Sequence, residues 1–128
     1  MRSTVAFYKC EKCGNIVELI KASGVPVVCC GQEMSKLEAQ TADQTTEKHV
    51  PVATKEGDNI NVVVGSTLHP MVDEHYIEWI ALVTDNGIER INLSPGDDPK
   101  AVFSASNKEG TVDVYEYCNL HGLWKSTL

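Results

Sequence analysis

"HYIEWIALVTDNGIERINL", residues 75–93, holds two apolar runs on either side of a short polar turn. The turn contains Asn86-Gly87, a pair that favours two-residue hairpin loops because it tolerates positive φ at both central positions. We therefore predict a β-hairpin here, with positive φ at Asn86 and Gly87 and with His75 opening the first strand.

Short β-like runs continue on both sides of this hairpin. They are VPVAT (50–54), INVVVG (60–65), AVFSAS (101–106) and TVDVYEYC (111–118), with PGDDP (95–99) marking another loop. No stretch shows a convincing helical period. Several short strands at regular spacing predict a mainly β protein, with a β-sandwich or barrel over residues 48–128.

The segment before these strands has a different composition. EAQTADQTTE (38–47) is polar, lacks aromatic residues and has no apolar period, which is typical of a linker or exposed loop. We predict a small domain over residues 1–38, a linker over 39–47 and the β domain over 48–128.

Four of the five cysteines lie in the small domain. Cys10 and Cys13 form a Cys-x-x-Cys knuckle, and Cys29 and Cys30 are adjacent. Four thiolates suffice for a tetrahedral metal site, and this spacing leaves zinc and iron equally possible. A module this small buries too little apolar surface to fold alone, so a bound metal is expected to stabilise it. A strained bridge between the adjacent cysteines is the less favoured alternative.

A second set of metal-ligand residues lies in the β domain. Each histidine of the chain falls beside a turn or a strand end there, and the fifth cysteine closes the run TVDVYEYC; these residues are His49, His69, His75, His121 and Cys118. A single histidine is usually structural. Four histidines and one cysteine, however, exceed the four ligands of a structural zinc site. Iron accepts five ligands and keeps a sixth position open, as in haem–thiolate centres. A blue-copper centre is disfavoured because no methionine follows Cys118.

Charge suggests what such a centre would attract. The chain has a net charge of -7 and a sequence pI of about 5.0, which argues against nucleic acid and anionic membranes as partners. A small anion could still be drawn to the metal by Lys48, and Glu47 could approach the open metal position. The alternative is that both are ordinary solvated surface charges. Residues 1–14 lack an apolar signal core and no run is long enough to span a bilayer, so we expect a cytoplasmic protein.

In order along the chain, six pieces resemble the desulfoferrodoxin family, the two-iron superoxide reductases. They are YKCEKCGNIVE (8–18), VVCCG (27–31), EKHVPV (47–52), HPM (69–71), HYIEWI (75–80) and EYCNLHGLWK (116–125). The resemblance implies a desulforedoxin-like domain with iron on Cys10, Cys13, Cys29 and Cys30, followed by an immunoglobulin-like β-sandwich. In the sandwich, it implies a second iron with four equatorial imidazoles and Cys118 as axial ligand.

The resemblance also implies an activity. Superoxide would take one electron and two protons to give hydrogen peroxide without releasing dioxygen, with Lys48 guiding the anion and Glu47 capping the oxidised iron. A rubredoxin-type electron donor and a homodimer are further implications. Two alternatives stay open: a rubredoxin-like electron carrier, and a zinc- or iron-binding protein without turnover.

Overall fold

The computed structural model describes residues 5–42, 49–65, 69–108 and 110–128. These residues form two compact units, of which the smaller ends at Glu38 and the larger begins at Ala39. All regular structure in the described residues is β-strand, which confirms the predicted mainly β architecture. No helix in this part of the chain is long and apolar enough to cross a membrane.

The smaller unit consists of five short strands. They are β1 (Phe7–Lys9), β2 (Ile16–Glu18), β3 (Val28–Cys29), β4 (Gln32–Glu33) and β5 (Ser35–Lys36). Strand β1 lies between β2 and β5 in an antiparallel sheet, and β3 pairs with β4 in a two-stranded ribbon. Sequence reasoning predicted none of these strands, because runs of two or three residues are too short to show a period.

The larger unit is a sandwich of two antiparallel sheets. One sheet contains β6 (Pro51–Glu56), β7 (Asn59–Val64) and β10 (Lys100–Ser104), with β7 in the centre. The other has the order β12-β11-β8-β9, formed by β8 (Ile77–Thr84), β9 (Gly87–Asn92), β11 (Asp113–Cys118) and β12 (Gly122–Thr127). This arrangement agrees with the predicted β-sandwich.

The core lies between the two sheets. In β7 the buried side chains are those of Ile60, Val62 and Val64, since successive residues of a strand point to opposite faces. Ala101 and Phe103 of β10 belong to the same cluster, and the other side of the core contributes Ile77, Ile80, Leu82, Val112, Val114 and Cys118. Cys118 therefore lies on the core side together with Val114 of the same strand and Val112 just before it, as the sequence predicts.

The hairpin of β8 and β9 forms, but its turn differs from the prediction. Gly87 pairs with Thr84, so the two loop residues are Asp85 and Asn86. Gly87 has φ +146°, whereas Asn86 is not at positive φ. The prediction of positive φ at Asn86 was wrong because the register of the strands places Gly87 at the start of β9.

The start of β8 also differs from the prediction. The strand begins at Ile77 rather than at His75. The backbone of His75 instead pairs with Val72 through two hydrogen bonds of 3.0 Å, which close a tight turn. This turn places His75 just before the start of β8, where its side chain can point toward the other loops at that end of the sheet.

Candidate metal centres

The four-cysteine cluster forms where two turns of the smaller unit approach each other. Cys10 follows β1, and the turn after it is closed by hydrogen bonds from Gly14 N to Cys10 O at 2.9 Å and from Cys10 N to Asn15 O at 2.8 Å. Cys29 ends β3, and Cys30 lies in the turn before β4. The metal-ligand atoms of all four cysteines lie within 4.8 Å of one another.

The adjacent cysteines require unusual backbone geometry. Cys30 has φ +53° and Gly31 has φ +77°. A non-glycine residue in this left-handed region is uncommon. The conformation turns the chain between Cys29 and Cys30, so that neighbouring residues contribute sulfur atoms to one cluster. All five cysteines are free, which argues against a bridge within the pair.

The sulfur positions fit a tetrahedral metal ion. Sulfur ligands about 2.3 Å from one ion lie about 3.8 Å apart at the corners of a tetrahedron. The Sγ atoms of Cys13 and Cys29 are 3.7 Å apart. The amide of Asn15 donates to Cys29 Sγ at 3.7 Å, which also favours a thiolate there.

The thiols also perturb one another. The backbone N–H of Cys13 lowers the pKa of the Cys10 thiol to about 6. The neighbouring thiol of Cys13 raises the pKa of Cys29, and it raises the pKa of Cys30 to about 12. The cluster thus opposes the accumulation of four negative charges, and a bound cation would remove this opposition.

The second cluster forms at one end of the sandwich. His49 precedes β6, His69 and His75 lie between β7 and β8, and Cys118 ends β11. His121 lies in the turn between β11 and β12. Long-range strand pairing therefore brings together residues from three separate parts of the chain.

The four imidazole rings of this cluster lie close to the corners of a square. The ring centroids along its sides are 4.8 Å apart for His49–His69, 4.6 Å for His69–His75, 5.1 Å for His75–His121 and 4.7 Å for His49–His121. The His49–His75 distance is 6.5 Å, as expected for opposite corners. Four imidazoles can thus surround one central position.

The ligand atoms have the spacing of a metal centre. The metal-ligand atoms of His49, His75, Cys118 and His121 lie within 4.8 Å of one another. His49 Nε2 and His121 Nδ1 are 3.0 Å apart. Nitrogen ligands about 2.1 Å from one ion and at right angles to each other lie about 3.0 Å apart. Cys118 Sγ is 3.8 Å from the same His121 nitrogen, so a thiolate can reach the same ion.

The ring of His69 lies beside those of His49 and His75, but its nitrogens are not among the ligand atoms that lie within 4.8 Å of one another. Its Nδ1 lies 2.8 Å from the carbonyl oxygen of Pro70, which favours the tautomer with the proton on Nδ1. Nε2 of His69 is buried and can then act as a metal ligand. His121 faces the cluster through Nδ1 instead, so the four histidines do not use equivalent atoms.

Burial is uneven across the cluster. Cys118 and His49 are fully buried, whereas His75 is partly exposed and His121 is exposed. The sulfur is thus shielded within the core, while the histidines of one side contact solvent. Glu47 and Lys48, predicted to act beside the metal, lie outside the described residues.

Two side chains outside the predicted site, those of Trp124 and Gln40, hold the turn that carries His121. Trp124 stacks on the His49 ring, with 4.8 Å between centroids and 15° between planes, and its Nε1 donates to the His121 carbonyl at 3.2 Å. Gln40 donates to the same carbonyl through Nε2 at 2.8 Å. Gln40 falls in the predicted linker, where its sequence context gives no indication of this contact.

Fold and donor sets together define a two-unit, all-β metalloprotein with one sulfur-only centre and one histidine–cysteine centre. The profile described as Desulfoferrodoxin matches residues 41–127, and the profile described as Desulfoferrodoxin, N-terminal domain, matches residues 3–37. The chain belongs to the desulfoferrodoxin family. Its four-cysteine and histidine–cysteine groups are consistent with the two iron centres of that family.

Full-length relatives support the same assignment. The desulfoferrodoxin homolog of Archaeoglobus fulgidus is 48% identical over 126 residues, covering 98% of this chain and 99% of the relative. The desulfoferrodoxin of Nitratidesulfovibrio vulgaris is 47% identical over 126 residues, covering 98% of each chain.

A solved structure matches both units. The crystal structure of the superoxide reductase from Treponema pallidum has a TM-score of 0.82 and 31% identity, and the match covers 97% of this chain and 98% of that one. A shorter relative, the superoxide reductase of Pyrococcus abyssi, is 37% identical over 110 residues, covering 73% of this chain and 96% of its own.

Proposed function

We propose that this chain is a superoxide reductase, which reduces superoxide to hydrogen peroxide without releasing dioxygen. The observation that carries the proposal is the near-square of four imidazoles with the buried Cys118 sulfur beside it. Five protein ligands exceed the number in structural zinc sites and suit an iron with one open position. The superoxide reductases among the relatives and solved structures support this reading.

In this proposal, Cys118, His49, His69, His75 and His121 would hold the iron. Iron bound there supplies a one-electron redox couple. The protein keeps the sulfur away from solvent, since Cys118 is fully buried. The exposed side of the cluster, at His75 and His121, is where a small oxygen anion would approach.

We assign Lys48 and Glu47 to the steps around substrate entry and product release. The Lys48 ammonium attracts the superoxide anion toward a protein of net charge -7 and holds a water that can deliver protons. The Glu47 carboxylate would supply a further oxygen ligand that caps the metal. Lys48 directly precedes His49 in the sequence and Glu47 lies two positions before it, which is the reason for assigning these two residues.

The four-cysteine unit is the second part of the proposal. Cys10, Cys13, Cys29 and Cys30 hold an iron that can pass electrons or stabilise the assembly. A rubredoxin-type donor supplies the electron, and the chain acts as a homodimer in the cytoplasm. Two of the four ligands, Cys13 and Cys30, are exposed, which suits a centre that exchanges electrons with a partner.

Rapid mixing of the reduced protein with superoxide tests the activity. We expect consumption near the diffusional limit, ~10⁸–10⁹ M⁻¹s⁻¹, with peroxide formed and no dioxygen released. The variant His75→Ala, which removes one ligand of the second centre, should lose this activity while keeping the four-cysteine absorbance. A purified chain with two irons that leaves superoxide unreacted would instead support the electron-carrier alternative.

Lys48→Ile tests the electrostatic part of the proposal. We expect a slower encounter with superoxide, and a larger loss at low than at high ionic strength, because salt screens the attraction. The measurement is the second-order rate constant as a function of salt. Lys55→Ile is the matched control, since Lys55 is an exposed lysine of β6 outside the metal-ligand clusters. Equal salt dependence in both variants would remove Lys48 from the mechanism.

A further inference from the structure

Asn119 lies in the turn between the two ligands Cys118 and His121, and its polar groups bond to the turn that carries His75. Its Oδ1 accepts a hydrogen bond from Tyr76 N at 3.0 Å. Its Nδ2 donates to Glu74 O at 3.1 Å, and its backbone N donates to Tyr76 O at 3.2 Å. One residue thus bonds to both sequence neighbours of His75.

The backbone of His75 itself is held by another partner. His75 N donates to Val72 O, and Val72 N donates to His75 O, both at 3.0 Å. These bonds close the turn but do not connect it to the strand that ends in Cys118. The three hydrogen bonds of Asn119 connect this turn to the end of the strand that carries Cys118.

The strand register explains why Asn119 reaches this position. Along β11 and β8, Tyr117 pairs with Trp79, but Cys118 pairs with Ile77, so the register shifts by one residue. Such a bulge redirects the chain and re-aims side chains near functional sites. After the shift, Asn119 lies opposite Tyr76, directly beside His75. Without it, Asn119 would lie opposite Ile77, one residue farther from the histidine.

We propose that Asn119 is a positioning residue that fixes His75 relative to Cys118 and His121, and so sets the shape of the second metal centre. The proposal rests on the iron site proposed above. Asn119 contacts neither the ion nor the substrate. Cys118 and His121 lie on the same turn as Asn119, whereas His75 lies on the neighbouring turn. These three ligands can hold one ion only if the distance between the two turns is fixed, and the hydrogen bonds of Asn119 fix it.

The test compares full-length Asn119→Ala with wild type. The affinity of the second centre for ferrous iron, measured by competition with a chelator, should fall about tenfold or more. The electron paramagnetic resonance spectrum of the oxidised second centre should change, because the equatorial ligands are less regular. The four-cysteine iron of the same chain serves as an internal reference and should be unaltered.

A metal-free measurement tests the contact itself. The Tyr76 amide should exchange with solvent faster in Asn119→Ala than in wild type, since it loses its acceptor. Asn61→Ala is the matched control, because it also removes an asparagine side-chain hydrogen bond, the 2.8 Å contact to Glu56, but on β7. Asn119→Asp keeps the acceptor for Tyr76 and loses the donor to Glu74, and it carries the test should the alanine variant not fold.

The outcomes separate the two proposals. A wild-type chain that binds only the four-cysteine iron contradicts the proposed function. A wild-type chain with two irons, together with an Asn119→Ala chain that matches Asn61→Ala in iron affinity and resonance spectrum, contradicts the role of Asn119 alone. Weakened iron binding, an altered spectrum and faster Tyr76 exchange, all restricted to the Asn119 variants, support it.

Discussion

His121 presents Nδ1 to the cluster, at 3.0 Å from His49 Nε2 and 3.8 Å from Cys118 Sγ. This nitrogen is bonded directly to Cγ and is therefore nearer the backbone than Nε2. The position of the ligand atom consequently depends closely on the backbone of the turn. The hydrogen bonds from Gln40 and Trp124 to the His121 carbonyl act at this backbone. At the scale of single residues, the turn after Cys118 is where small changes should affect the metal most.

Gly122→Ala tests this dependence. Gly122 has φ +87°, and an added Cβ would lie 3.5 Å from Gln40 Nε2, an ordinary contact. The cost therefore comes from the backbone conformation, about 1–2 kcal/mol for a residue with a Cβ. We expect a lower melting temperature and weaker iron binding at the second centre. Gly57→Ala imposes similar strain at φ +58° in the turn after β6 and should lower stability without changing iron affinity.

At the scale of elements, the ends of strands rather than their centres determine the site. The β7 run and the β8–β9 hairpin could be predicted from sequence, because both depend on local patterns. The conformation of the hairpin turn could not, since the strand register makes Asp85 and Asn86 the loop residues. The metal ligands could also be predicted from sequence, because the cysteines and histidines are few and lie beside turns. The supporting amides could not, because their partners are distant: Asn119 contacts residues 43 and 45 positions away, and Gln40 contacts His121 81 positions away.

Strand β12 shows the same limit. The sequence does not predict a strand over GLWKST, residues 122–127, because this run lacks regular alternation of apolar and polar residues. Its pairing with β11 makes it one edge of the four-stranded sheet. Gln40 adds to β12 as an isolated parallel bridge to Trp124, with hydrogen bonds from Gln40 N to Leu123 O and from Lys125 N to Gln40 O, both at 2.9 Å.

The two donors to the His121 carbonyl can be separated by a double-mutant cycle. Gln40→Met and Trp124→Phe each remove one donor and keep most of the packing, so each should reduce stability by about 0.5–1.5 kcal/mol. The double variant leaves the carbonyl without either donor, and we expect its loss to exceed the sum of the single losses. Denaturant unfolding measures the stabilities. If the loss of stability in the double variant equalled the sum of the two single losses, the two side chains would act independently and not through the shared His121 carbonyl.

At the scale of the whole molecule, the chain carries two metal centres in two compact units that divide between Glu38 and Ala39. The change in composition predicts a small cysteine-rich domain before a β domain, and the two family profiles meet near the same position, at residues 37 and 41. The predicted linker as a whole stays a prediction, because residues 43–47 lie outside the described residues. Within its first part, Gln40 contacts β12.

Cys13→Ser tests whether the two centres bind metal independently. Loss of one thiolate should release the iron of the smaller unit, while the second centre keeps its own. Iron analysis should fall from two ions to one per chain, with loss of the four-cysteine absorbance. Cys118→Ser is the reciprocal control and should remove the second iron while sparing the first. If Cys13→Ser lost both irons, the centres would not be independent.

The sequence distances within the two clusters carry a consequence for folding order. His49 and His121 are 72 residues apart, yet their nitrogens lie 3.0 Å from each other. Contacts of such high sequence separation form slowly, because loop closure precedes any gain from them. We therefore expect the sandwich to complete its strand pairing before iron binds, so that its refolding rate is insensitive to iron supply. The cysteine unit, whose ligands all fall within residues 10–30, can instead use the metal to nucleate its folding.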